Sequence, residues 1–190
     1  MKPSEAFELW SSKADGRSAC DYSFHMGVTR FDHTTERQLR EIVDRGIASF
    51  KVFLAYKGAF GIDDSELYRT LSLAKELGVI VTAHCKNETA VFERQQQLLN
   101  AGQTGPQFHE PSRPTFVEAE GVHHLMTFVE LTEAHVYVVH TNCDEALQLC
   151  RSAKWTDMLR QMDPLLGKEE VGVTLRCRCQ CLGFSFQVAC

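Results

Sequence analysis

Short apolar runs alternate along this chain with longer stretches of helical periodicity, and that alternation constrains the fold more than any other feature. Residues 21–28 put Tyr22, Phe24, Met26 and Val28 on one face and Asp21, Ser23, His25 and Gly27 on the other, the two-residue period of a strand. Residues 49–57, 79–84 and 136–140 are near-continuous apolar runs, the pattern of strands buried on both faces. Helical segments lie between them. Residues 5–13 read as the end of a helix, and Thr35 with Gln38 has capping-box spacing ahead of Leu39, Ile42 and Val43, with Gly46 as the stop. Asp63 with Glu66 caps the next, which Leu67, Leu71, Ala74 and Leu77 line and Gly78 ends. Asn87 opens a helix to Gly102, a polar Gly/Pro loop covers 103–113, and Pro114 starts a helix through Glu133 with Val117, Gly121, His124 and Phe128 in register. A last clear helix covers 143–153.

Strand, helix, strand, helix in this style builds parallel βα units, of which residues 1–153 hold four. The fold class is α/β. A complete (β/α)8 barrel takes about 250 residues, so the chain reads as the central part of such a barrel or as a doubly wound sheet. No Gly-rich phosphate loop follows a strand, which disfavours a nucleotide-binding sheet.

The run 49–57 has a lysine, Lys51, in its middle. An ammonium there costs several kcal/mol unless it is paired or loses its charge. Its stem can pack while its head reaches water, or the amine can stay neutral and react. Two later strands bear on that choice. His84 and His140 each stand at the carboxyl end of a run, where parallel α/β folds place their sites, and alternation groups Lys51 with Ser49, His84 with Thr82 and His140 with Val138. Each histidine alone reads as a hydrogen-bonded strand-end residue. Together, two neutral imidazoles suit Zn²⁺ or a similar borderline metal. A neutral lysine amine can add CO₂ to give a carbamate, whose oxygens can bridge two metal ions that hold a hydroxide at neutral pH.

Charge and cysteine usage narrow the function classes. A net charge of -5 without a basic stripe argues against a nucleic-acid surface. No apolar run approaches the roughly 20 residues of a membrane helix. The start, Met1-Lys2-Pro3-Ser4-Glu5, lacks the apolar core of a secretory signal, which points to a cytoplasmic, reducing setting. Cys20, Cys85, Cys143 and Cys150 read as small core or near-core residues, whereas Cys177, Cys179, Cys181 and Cys190 crowd the last segment. His25, His33, His109 and His135 have no partner at ligand spacing.

Residues 20–26, 49–57, 82–87, 105–120 and 138–141 resemble the dihydropyrimidinase and D-hydantoinase branch of the amidohydrolase superfamily. The lysine strand with its Ala55-Tyr56-Lys57 continuation is the most specific of these stretches. The resemblance implies a TIM barrel, a binuclear zinc site and a hydrolase that opens the cyclic amide C–N bond of dihydropyrimidines or hydantoins. It also implies a homo-oligomer, usually a tetramer. By this pattern Lys51 is the carboxylated bridging lysine, His84 and His140 are ligands of the second metal, and Tyr56 is the phenol that steadies the oxyanion. Related allantoinases lack that tyrosine. Phe60 borders the pocket for the substrate's side group.

The departures are specific. The family's first strand carries His-x-His and its eighth an Asp that binds metal and acts as general base. This chain contains no His-x-His; its adjacent pair, His123-His124, sits on a helix, where neighbours point about 100° apart. Asp157 and Asp163 read as solvated residues rather than that Asp. Lys86 stands where the family has Glu, and a cation there is expected to repel metal and disturb the contacts behind the ligands. Half a metal site should bind metal poorly and hydrolyse nothing by itself. The alternative is a non-catalytic dihydropyrimidinase-like scaffold. Residues 154–190 form a divergent, Cys-rich tail that does not resemble the family. Its Cys177-x-Cys179-x-Cys181 lacks the paired spacing of a zinc ribbon, and a disulfide conflicts with a reducing compartment. The tail reads as foreign to this fold, from truncation or a shifted reading frame.

Overall fold

A computed structural model describes residues 1–56, 58–152 and 185–189 of the chain. The first helix, α1 (Pro3–Ala14), leads into β1 (Tyr22–Gly27) and α2 (His33–Asp44). Then come β2 (Ser49–Phe53), α3 (Asp64–Leu77), β3 (Ile80–His84) and α4 (Glu88–Asn100). A 3₁₀ turn (Pro106–Phe108) precedes α5 (Thr115–Thr132), β4 (Val136–Val138), α6 (Asp144–Ser152) and β5 (Ser185–Ala189).

All pairings are parallel, and the sheet order is β4-β3-β2-β1-β5. The first four strands add in sequence order and in one direction, the winding of a barrel. The strands that carry Lys51, His84 and the approach to His140 are therefore neighbours, as the sequence implies. Beyond them, β5 pairs with the outer edge of β1. The cysteines at 177, 179, 181 and 190 and the aspartates at 157 and 163 lie outside the described residues. Among the described residues no helix is long and apolar enough to cross a membrane.

Alternation along the strands divides the sheet into two chemistries. Phe24, Met26, Phe50, Val52, Val81 and Ala83 are buried and pack with Leu39, Ile42, Leu67, Leu71, Val122 and Leu125 from the helices. Each such side chain contributes about 1.5–3 kcal/mol by leaving water. Ser49, Lys51, Thr82 and His84 occupy the alternate positions and are also buried. One face makes the core; the other carries the polar groups.

Local signals explain most of the helix boundaries. Asp63 and Glu66 form the expected capping box of α3, and Gly78 closes it in the left-handed region at φ 66°. At α2 the expected box does not form: the N-cap is Asp32, whose carboxylate accepts the backbone N–H of Thr35. A carboxylate at the N-cap also favours the positive end of the helix dipole, which Thr35 as cap would forgo. Pro114 is the N-cap of α5 rather than its first residue. Cys20 is exposed, not near the core, because it sits in the turn before β1.

Helix α5 docks closely on the end of β3. A methyl group added at Gly121 would lie 2.6 Å from the backbone nitrogen of Lys86 and 2.8 Å from the carbonyl carbon of Cys85. Backbone cannot move aside cheaply. Gly121→Ala is expected to lose about 1–3 kcal/mol of stability by overpacking, despite the better helix propensity of alanine. An unchanged urea midpoint would show that α5 does not sit against this segment.

Candidate active site

The residues named from the sequence converge at the carboxyl ends of β2, β3 and β4. Lys51 is 6% exposed, and its Nζ lies 4.7 Å from the ring centroid of Phe53, two residues on and on the same face. The Phe53 ring meets Phe60 edge-on at 4.7 Å, and Phe60 meets Tyr56 at 5.0 Å. Tyr56 in turn stacks on the His84 imidazole, 5.5 Å between centroids and 20° between planes. His84 Nδ1 and His140 Nε2 are 3.0 Å apart and share one hydrogen bond. Lys51, Tyr56, Phe60, His84 and His140 thus form one connected cluster of rings and an amine.

Two backbone features build it. Tyr56 adopts a left-handed φ of 71°, and its carbonyl accepts the backbone N–H groups of Ala59, Phe60 and Gly61 at 3.0–3.2 Å. Gly61 must be glycine here, since a Cβ would fall on the carbonyl oxygen of Ala55. That turn folds Phe60 back over Phe53. The second feature corrects the sequence reading: β4 ends at Val138, so alternation does not place His140. Val139 still donates to the Ala83 carbonyl at 3.1 Å, and His140 then turns at φ 43°. A left-handed turn, rather than strand pleat, aims its ring at His84.

Both imidazoles are held neutral. Burial first, then the nearby charges of Lys51 and Lys86, push His84 down to about 4 and His140 below its ordinary value, with Glu118 opposing. His84 also feels His140 directly. The buried His84 Nε2 has no hydrogen-bond partner. Two nitrogens on a tetrahedral zinc with legs of about 2.0–2.1 Å lie about 3.3 Å apart, so this pair is near ligand spacing. The donors fit a metal in part: among the described residues no group of three or more His, Cys, Asp or Glu side chains could hold one.

Three features were not read from the sequence. His25, read as without a partner at ligand spacing, has its Nδ1 2.6 Å from Ser49 Oγ, and burial with the charge of Lys51 lowers its pKa. The register Gly27↔Lys51 sets His25 opposite Ser49, a relation that the shared two-residue offset could have signalled. Lys86 is not a free cation beside the histidine pair: its Nζ forms a 2.7 Å ion pair with Glu118 Oε2, and both side chains are largely buried. Glu118 Oε1 accepts the backbone N–H of Asn142 at 2.6 Å. His124 on α5 meets a different element: its Nε2 lies 2.9 Å from Asp64 Oδ1.

No family model matches the chain. Curated relatives do. It is 38% identical over 152 residues to a dihydropyrimidinase of Dictyostelium discoideum, covering 79% of this chain and 30% of that protein. It is 33% identical over 151 residues to human dihydropyrimidinase-related protein 5, covering 79% of this chain and 27% of that one. Its fold superposes on a solved D-hydantoinase from Thermus sp. with a TM-score of 0.79 and 58% identity, over 82% of this chain and 34% of that chain. The chain belongs to the dihydropyrimidinase and D-hydantoinase family. It spans about a third of its relatives' length. Its sheet is accordingly part of a TIM barrel of the amidohydrolase type.

A folded-state pKa of about 4 for His84 against 6.5 unfolded gives a pH dependence with a definite sign. Between those values the unfolded chain binds the proton and the folded chain does not, so stability is complete above about 6.5 and is lost as the pH falls towards about 4. His140 contributes in the same direction. Urea midpoints of the metal-free chain across that window check this, with His84→Gln expected to flatten the curve. A flat profile in the unsubstituted chain would mean the imidazole is open to water.

Proposed function

We propose that this chain carries the middle portion of a metal-dependent cyclic amidohydrolase site, one that opens the C–N bond of a dihydropyrimidine or hydantoin ring. The observation that carries the reading is the pair of neutral imidazoles at 3.0 Å beside the strand of a buried lysine. In this reading Lys51, as its carbamate, His84 and His140 would hold zinc, with two ions in a complete member. Zinc bound there supplies a water acidic enough to ionise near neutral pH and polarises the substrate carbonyl.

The remaining work falls to the chain's own groups. The Tyr56 hydroxyl is the donor for the oxyanion that develops as the carbonyl is attacked, a contact of this kind being worth a few kcal/mol at the transition state. Its stacking on His84 fixes the ring plane before substrate arrives. Phe60, held by Phe53 and Tyr56, offers an apolar wall to the substrate's side group. Among the described residues no group is assigned the proton for the leaving nitrogen, and the sequence holds no His-x-His. With donors missing, this chain by itself binds metal weakly and turns over no cyclic amide. Assembly as a homo-oligomer, a tetramer by resemblance, belongs to the same reading.

A second reading has one specific support. A human relative of nearly equal similarity is named dihydropyrimidinase-related rather than dihydropyrimidinase, so a non-catalytic scaffold is the alternative.

Grafting residues 1–152 into a D-hydantoinase in place of the matching segment separates the two. The chimera should take up zinc and open hydantoin. Lys51→Ala should abolish metal uptake by elemental analysis, and Tyr56→Phe should lower kcat about 10²-fold with KM little changed. Full zinc loading without turnover of any cyclic amide would favour the scaffold. A Tyr56→Phe effect confined to KM would remove the oxyanion role.

A further inference from the structure

The histidine pair is held from behind by one carboxylate. Glu118 lies on α5, the helix whose Gly121 packs on the backbone of Cys85 and Lys86. It is 5% exposed, an unusual position for a carboxylate. Its Oε2 takes the Lys86 ammonium at 2.7 Å, two residues after His84. Its Oε1 takes the Asn142 backbone N–H at 2.6 Å, two residues after His140. The same helix start also accepts the Asn87 N–H on the Val117 carbonyl at 2.9 Å. One side chain therefore bridges the two loops that leave the histidine-bearing strands.

We propose that Glu118 is the positioning residue of this site, its carboxylate tying the Lys86 and Asn142 loops together so that the His84 and His140 rings stay at ligand distance. His140 needs such a tie because its left-handed backbone is unfavourable for a non-glycine residue. Without it, the turn relaxes and the rings part. Glu118 has a second effect, since it neutralises a buried cation that would otherwise stand close to any bound metal. The inference rests on the metal-site reading for its consequence, but the ring contact itself is a property of the metal-free chain.

The test uses the full 190-residue chain in two measurements. In the metal-free chain, NMR contacts between the two assigned imidazole rings report the pair directly. Titration with Co²⁺, followed by its visible absorption, reports affinity. Glu118→Gln should lose the ring contact and weaken Co²⁺ binding about 10- to 100-fold. Adding Lys86→Met should leave the rings parted, because the bridge to the Lys86 loop is still missing, while recovering part of the Co²⁺ affinity, because no unpaired cation remains. A general loss of packing would not be rescued in this way. If Glu118→Gln does not fold, Glu118→Asp replaces it, keeping the charge while shortening the reach, with parted rings expected.

Ring contact and Co²⁺ affinity unchanged in Glu118→Gln, or a ring contact restored in the double variant, would overturn the proposal. If Co²⁺ binding does not respond to His84→Ala with His140→Ala, the metal-site reading fails instead. The ring contact and its dependence on Glu118 then still decide the positioning role.

Discussion

Parallel register is the constraint on which the site depends. Hydrogen-bonded pairing sets Lys51 beside Thr82, Phe53 beside His84 and Ala83 beside Val138, so consecutive strands end at the same edge and their last side chains must meet there. An antiparallel sheet would send alternate ends to opposite edges. Here residues more than thirty positions apart reach contact with no long excursion of the chain, and the loops need only choose the final angles. The core enforces the register from the other face. A slip by one residue would exchange Phe50 and Val52 for Lys51, burying an ammonium among the helices and turning apolar groups outward.

Above that rigid edge, two residues are held where most side chains avoid going. Tyr56 and His140 both have positive φ, a cost of about 1–3 kcal/mol each. Local contacts offset it in different ways. At Tyr56 three backbone N–H groups converge on one carbonyl, so the turn is stabilised by its own segment. At His140 the support is tertiary, through Asn142, Glu118 and α5. The first loop can form as soon as its strand does, whereas the second needs a helix that arrives from the preceding unit. The geometry of this edge is therefore tied to packing at the helix layer, and Gly121 is where the two meet.

What the sequence made legible follows the range of the forces involved. Period-two alternation in 21–28 and the apolar runs at 49–57 and 79–84 identified the strands, because each residue's burial depends on its immediate neighbours in the pleat. Asp63 with Glu66 was readable for the same reason; a capping box is complete within four residues. The cap of α2 was misplaced because Asp32 and Thr35 both offer suitable oxygens, and which one caps depends on where the preceding strand delivers the chain. His140 was placed correctly at the edge for an incomplete reason, since pleat alternation does not survive past Val138. The Lys86–Glu118 pair was invisible. Thirty-two positions separate its members, and only the docking of α5 makes them neighbours. Taken alone, Lys86 looked like a charge set against the metal.

Electrostatics at the edge combine burial with the charges of Lys51, Lys86 and Glu118. With both lysines protonated, the imidazoles face two cations and one buried carboxylate, which helps keep them neutral and ready to donate a lone pair. The same field repels a divalent cation. Glu118 cancels Lys86 locally. On the proposed reading, carbamate formation changes Lys51 from a cation to an anion, a swing of two charges at one side chain. It converts the term that disfavours metal into one that favours it. Metal affinity and lysine modification would then be coupled through charge alone, each making the other more favourable.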